Sequence, residues 1–162
     1  MVVIPADIIL DLDELIKVAE ASFAKTPDAS LKEWFSFEEM KKQIELGRGI
    51  CIKAVSESGD IIGLTYAQQE NPINGPEGEE KWVIVLAGVD PSASGKGVGS
   101  ALLGGIEKAA KNGNATKMFV FTNKDDLDVI SFYKKNGYED AGWVRDYQYG
   151  KDNSAVFLLK YL

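Results

Sequence analysis

Val89-Asp90-Pro91-Ser92-Ala93-Ser94-Gly95-Lys96-Gly97-Val98-Gly99-Ser100-Ala101-Leu102 is the stretch from which the rest of the sequence can be read. An apolar run from Trp82 to Val89 has the character of a buried strand and stops at Pro91; a helix then opens within the glycines. The first N–H groups of a helix lack intrahelical partners and sit at the positive end of its dipole. Glycines at 95, 97 and 99 remove the side chains that would hold a phosphate away. The segment therefore reads as an anion cradle suited to a pyrophosphate.

Two nucleotide readings fail on spacing. A Walker loop requires G-x-x-x-x-G-K-[ST], but Gly88 stands too far from Gly95-Lys96, and Gly97 takes the place of the hydroxyl residue. A dinucleotide fingerprint requires G-x-G-x-x-G, and Leu102 occupies its third glycine position after Gly97 and Gly99. A second βαβ half is also missing.

Outward from this loop, the second half alternates helix and strand. A helix runs to about Lys111, Met118 to Phe121 form a strand, and residues 125–136 form a helix stopped by Asn136-Gly137. Strands follow at about 138–149 and 155–161, around a turn at Gly150-Lys151-Asp152-Asn153. In the first half, Val2-Val3-Ile4 makes a short strand. Leu12, Leu15, Ile16, Ala19 and Phe23 lie at helical spacing over residues 11–24. A polar stretch containing Pro27 and Asp28 follows, and Ser36-Phe37-Glu38-Glu39 resembles a capping box opening a helix that ends near Gly47. Strands at 50–56 and 61–68 flank the turn Glu57-Ser58-Gly59-Asp60, and Asn71 to Gly78 reads as a loop. The order predicts one α/β (α+β) domain over residues 1–162, with a central sheet and helices on its faces.

Composition narrows the chemistry. A chain of 162 residues, 45% hydrophobic and 27% charged, can bury a full core without staples. It contains no histidine, which removes Ser-His-Asp and Cys-His nucleophiles and speaks against a catalytic metal. Proton transfer falls to carboxylates, tyrosine, lysine or water. The net charge of −7 argues against nucleic acid and favours encounter with a cationic partner. One cysteine, Cys51, reads as a small buried hydrophobe in a strand and suits a reducing compartment. No apolar stretch has the length of a membrane span, and Met1 to Asp7 lack a basic n-region, so the expected address is the cytoplasm.

The loop resembles the coenzyme A signature of the GNAT acetyltransferase superfamily, [Gln/Arg]-x-x-Gly-x-[Gly/Ala] preceded by Val-x-Pro. It falls here on Ser94-x-x-Gly97-x-Gly99, preceded by Val89-Asp90-Pro91. The departure is Ser94, where the family usually carries arginine or glutamine. A second family segment, Asn-x-x-Ala-x-x-[Phe/Leu]-Tyr followed by Gly-[Phe/Tyr], falls on Asp126-x-x-Val129-x-x-Phe132-Tyr133 and Gly137-Tyr138, with Asp126 and Val129 as departures. The resemblance is clear over residues 82–161 and rests mainly on element order over 1–81.

This resemblance implies a mixed, mostly antiparallel sheet splayed at its middle, with acetyl-CoA as co-substrate and no metal. It implies acetyl transfer to a primary amine, on a small molecule or a protein, in a ternary complex. A homodimer is compatible with it, and neither nucleic acid nor membrane is an expected partner. Leu86, Ala87, Val89, Ser94, Gly95, Lys96, Gly97, Val98, Gly99, Ser100, Asp126, Phe132 and Tyr133 are the implied coenzyme residues. Tyr133 would protonate the departing thiolate; read without the motif, it would be a helix tyrosine packed on the sheet. Glu79 and Glu80 are the implied bases, against the plainer reading of Glu-Gly-Glu-Glu-Lys as a solvated turn. Lys96 either pairs with phosphate or points to solvent. Trp34, Phe35 and Phe37, with Asp146, Tyr147 and Tyr149, fall where the family builds its acceptor site, and also read as ordinary core or edge-strand residues. Because of Ser94 and Asp126, a non-catalytic coenzyme A sensor stays open as the alternative.

Overall fold

A computed structural model describes residues 1–24, 31–70, 75–148 and 152–162. Strands β1 (Val2–Pro5), β2 (Gly49–Val55), β3 (Ile61–Gln69), β4 (Lys81–Val89), β5 (Lys117–Asn123), β6 (Glu139–Val144) and β7 (Ala155–Tyr161) form one sheet. Its order is β1-β2-β3-β4-β5-β7-β6. Each neighbouring pair is antiparallel except β4 with β5. Helices are α1 (Leu12–Phe23), α2 (Leu31–Trp34), α3 (Phe37–Glu45), α4 (Pro76–Glu80), α5 (Val98–Asn112) and α6 (Leu127–Lys135).

Two apolar clusters hold helices to opposite faces. One packs Val98, Leu102, Leu103 and Ile106 of α5 against Trp82, Ile84, Met118 and Val120. The other packs Leu15, Val18 and Ala19 of α1, with Met40 of α3, against Leu64, Tyr66 and Leu86. Cys51 belongs to the second cluster and is 4% exposed, as a buried hydrophobe.

Strand β4 explains how the sheet opens. It stays in register with β3 as far as Gly63 opposite Val89. Its pairing with β5 ends at Ile84 opposite Val120. Tyr66 faces Leu86 and Ala67 faces Ile84, so Val85 is an inserted residue. Such a bulge bends and twists its strand. It also moves Leu86 to the face opposite Trp82 and Ile84, which the two clusters record. Beyond Ile84 the β5 side of β4 is therefore unpaired, the splay that the resemblance implies.

Several local expectations change. The strand from Trp82 is not buried throughout, since Ala87 is exposed where the sheet opens. The loop expected over Asn71 to Gly78 gives way to α4 from Pro76, because proline is pre-set for a first helical turn; residues 71–74 lie outside the described residues. Ser36 caps α3, its Oγ accepting the Glu39 N–H at 3.2 Å. The reciprocal half of the box is absent, because Glu39 instead accepts from Gln43 at 2.7 Å. The strand expected to reach 149 leaves the ladder at Val144, and Asp146 takes a left-handed φ of 50°. Tyr149, the first half of the Gly150–Asn153 turn and the Pro27-Asp28 stretch lie outside the described residues.

Candidate active site

The loop after β4 is shaped before it meets any ligand. Pro91–Ala93 form a tight 3-10 turn. The Asp90 carboxylate accepts the Ser92 hydroxyl at 2.6 Å and the Ser92 N–H at 2.8 Å, and these bonds hold its pKa below the usual carboxylate range. Gly95 and Gly97 follow with φ of 75° and 79°, in the left-handed region that favours glycine. Gly97 is the N-cap of α5, and no side chain caps that helix. The first N–H groups of a 15-residue helix are thus left for a ligand. Gly99 has a different reason to be glycine: a β-carbon there would lie 3.3 Å from the ring of Phe132.

These elements line a cavity of about 480 Å³. Strand β4 contributes Ala87, Gly88 and Val89; the loop and α5 contribute Ser94, Gly95, Gly97, Val98, Gly99 and Ser100; α6 contributes Asp128, Val129, Phe132 and Tyr133. Three expected coenzyme residues stand elsewhere. Leu86 turns into the cluster under α1, although its carbonyl accepts the hydroxyl of Thr65, a lining residue, at 3.1 Å. Lys96 donates its ammonium to the Ser92 carbonyl at 3.0 Å. Asp126 stands at the N-cap position of α6 without a capping bond from its side chain, which instead accepts the Thr122 hydroxyl at 3.0 Å.

Tyr133 is 4% exposed, yet it lines the cavity. Its ring meets Phe132 and Tyr138 edge to face, with centroids at 5.1 and 5.3 Å. Burial pushes its pKa above the usual tyrosine range, so the phenol stays protonated. Its hydroxyl has no hydrogen-bond partner among the described residues.

Glu79 and Glu80 end α4, at the opposite end of β4 from the cradle. At a strand rise of about 3.3 Å per residue, Glu80 stands roughly 23 Å along the chain from Ala87. Its carboxylate accepts from Thr116 at 3.5 Å, while the Glu79 carbonyl accepts the Trp82 indole N–H at 3.1 Å. The structure does not bring either to the cavity. Among lining side chains the ionisable ones are Asp128 and Tyr133. Sequence reading missed Asp128 and Thr65. Asp128 was reachable, since 128, 129, 132 and 133 share one helical face; nothing in the sequence marks Thr65. Among the described residues no acidic, histidine or cysteine cluster could hold a metal, and no helix is long and apolar enough to cross a membrane.

The match to known proteins agrees with this geometry. A model of the Acetyltransferase (GNAT) family matches residues 12–138. An uncharacterised protein, YdhI of Bacillus subtilis, is 36% identical over 89 residues, covering 54% of this chain and 49% of that protein. A mycothiol acetyltransferase of Amycolatopsis mediterranei is 31% identical over 97 residues, covering 59% of this chain and 31% of that one. The chain thus spans half or less of the length of these relatives. Among solved structures, a ribosomal-protein-alanine N-acetyltransferase from Brucella melitensis shares the fold with a TM-score of 0.81, full coverage of both chains and 17% identity. An aminoglycoside 6'-N-acetyltransferase complexed with coenzyme A has a TM-score of 0.76 and 18% identity, covering 99% of this chain and 97% of that one. This chain belongs to the GNAT acetyltransferase family.

The family uses acetyl-CoA, and the residues present fit it. Uncapped helix N–H groups and two left-handed glycines offer a backbone cradle for a diphosphate. The unpaired edge of β4 offers further backbone groups along the same cavity.

Proposed function

We propose that this chain transfers an acetyl group from acetyl-CoA to a primary amine by direct attack in a ternary complex. The observation that carries this reading is a single cavity lined at once by the α5 cradle, the splayed edge of β4 and the Tyr133 side chain. Acetyl-CoA would supply the activated thioester. Backbone N–H groups from Val98 to Ser100 bind the diphosphate, and Ala87 to Val89 present main-chain donors and acceptors along the splay. Tyr133 holds a proton for the sulfur as the carbon–sulfur bond breaks. A phenol is protonated at neutral pH in any case; burial raises its pKa, so donation relies on the negative charge that builds on the sulfur beside it as the bond breaks.

The amine must arrive without its own proton, since an alkylammonium with a pKa of about 10.4 has no lone pair. Glu79 and Glu80 are remote, so deprotonation falls to water, with Asp128 as the carboxylate on the cavity wall. The remoteness of Glu79 and Glu80 from the cavity is the observation that favours the second reading, a coenzyme A sensor without turnover. Release of free thiol from acetyl-CoA with a panel of amines, beside calorimetry with coenzyme A, separates the two. Amine-dependent release supports transfer; tight binding without release from any amine overturns it.

A further inference from the structure

Thr65 on β3 is 1% exposed and lines the cavity, and its hydroxyl donates to the Leu86 carbonyl at 3.1 Å. The register on either side of the bulge shows what that bond holds. On the Lys81 side, the Glu70 N–H donates to the Lys81 carbonyl at 2.8 Å. Backbone groups along a strand turn to alternate neighbours, so Lys81, Val83 and Val85 face β3. On the Val89 side, the Asp90 N–H donates to the Ile62 carbonyl at 3.0 Å, so Gly88 and Leu86 face β3 as well. Val85 and Leu86 are thus consecutive residues turned to the same neighbour. Ala87 is then the first residue past Ile84 whose N–H and C=O turn to the side that β5 has left. Its register partner on β3 is Thr65.

The Leu86–Ala87 peptide is trans, so its C=O and its N–H point in opposite directions. The Thr65 hydroxyl grips the C=O end; the N–H end is the first donor of the open seam. Resting on the coenzyme reading above, we infer that Thr65 is a positioning residue. By holding the Leu86 carbonyl it fixes the Ala87 N–H toward the cavity, where that N–H donates to an oxygen of the acylated pantetheine arm. The Leu86 carbonyl also faces the β3 ladder, and its two lone pairs let ladder and hydroxyl hold it together. A bulge disrupts the ladder locally, and the second tether acts one residue beyond it. The hydroxyl is buried, so no bulk water competes for the bond.

Two variants separate bonding from packing. Thr65→Val keeps the volume and removes the bond, while Thr65→Ser keeps the bond and removes a buried methyl. Calorimetry with acetyl-CoA in the absence of amine, beside initial rates of thiol release, reads both. Thr65→Val should weaken acetyl-CoA binding about fivefold, the effect of one lost hydrogen bond, and lower kcat/KM for acetyl-CoA by at least as much. The KM for the amine should stay within about twofold, and Thr65→Ser should stay within about twofold of wild type throughout. ADP, which brings a diphosphate and no pantetheine arm, should bind wild type and both variants alike. A serine variant weaker than the valine variant, or a valine variant that binds acetyl-CoA as wild type does, overturns the inference and leaves acetyl transfer standing. Equal losses for ADP and acetyl-CoA also overturn it, because the effect would then reach the cradle. Failure to release thiol with any amine overturns transfer, and the order of the two variants in calorimetry still decides the role of Thr65.

Discussion

Gly99 of α5 faces the ring of Phe132 on α6 so closely that a β-carbon would stand 3.3 Å from its Cε2 and Cζ. The two sequence motifs therefore meet in space, one helix carrying the cradle and the other carrying Tyr133. Gly99→Ala should force the ring aside and destabilise the fold by roughly 1 kcal/mol, the lower end of the range for overpacking. In the Phe132→Leu background the same change should cost less. Chemical unfolding of the four proteins in a double-mutant cycle reads the coupling, and strictly additive effects would show that the two positions do not touch.

At Gly97 backbone conformation and charge can be separated. Its φ of 79° strains any other residue, but a β-carbon there would meet nothing within 4 Å. Asparagine and aspartate tolerate this region similarly, so Gly97→Asn and Gly97→Asp share the strain and differ in charge. We expect Gly97→Asp to weaken coenzyme A binding by about 100-fold or more, and Gly97→Asn to weaken it far less, because only the carboxylate repels a diphosphate. Calorimetry on folded proteins decides, and equal losses would refute the cradle.

Glu79→Gln and Glu80→Gln should each leave kcat within about threefold of wild type, since neither side chain reaches the cavity. Initial rates with any amine that turns over provide the check. A loss of about 100-fold, in the range of a removed general base, would return these residues to the mechanism.

What was legible in the sequence follows from how local each cause is. The cradle could be read because glycines, a preceding proline and a helix start act within a dozen residues. The place of Tyr133 on the cavity wall could be read because it keeps register with Phe132 and the Asn136-Gly137 stop. Glu79 and Glu80 adjoin β4 in the chain yet stand away from the cavity, because a strand carries its two ends far apart and closeness in sequence does not show it. Lys96, whose sequence position allows either phosphate or solvent, turns to its own loop at Ser92, a choice made by rotamers that no spacing encodes. The bulge at Val85 depends on β3 as well as β4, so a single strand's pattern could not show that Leu86 changes face.

Alkaline pH should weaken the fold through Cys51. Burial, and then the Asp11 carboxylate, push its thiol from 9.0 up to about 12, against a smaller opposing effect from Lys53. A raised pKa means that the folded state holds its proton longer than the unfolded chain. This contribution to stability is therefore complete below about pH 9 and declines as pH rises toward 12. Between about pH 8 and about pH 10.5 the loss from this group should be roughly 2 kcal/mol. Urea unfolding of wild type and Cys51→Ala at both pH values isolates it, because the buried tyrosines titrate in both proteins. The stability gap between the two should narrow by about that amount at high pH; a constant gap would show that the thiol is not held protonated.

Tyr133→Phe removes one hydroxyl that has no hydrogen-bond partner among the described residues, and it leaves the edge-to-face contacts with Phe132 and Tyr138 in place. Stability should not fall, since no hydrogen bond is lost. Coenzyme A affinity should also hold, because the cradle lies on another helix. If the phenol protonates the departing sulfur, kcat should drop by about 10²–10⁴-fold, the span for a lost general acid. The KM for the amine should move much less, as the proton transfer belongs to the transition state. Burial raises the phenol's pKa, so the protonated donor persists through the pH range in which an ordinary tyrosine, near pH ~10, begins to ionise. Wild-type kcat should therefore show no falling limb from this residue up to about pH 10, and a limb that vanishes in the phenylalanine variant at lower pH would contradict the burial seen here. A drop in kcat smaller than about threefold, with single-turnover rates equally unaffected, would remove Tyr133 from the chemistry and leave it as a wall of the cavity.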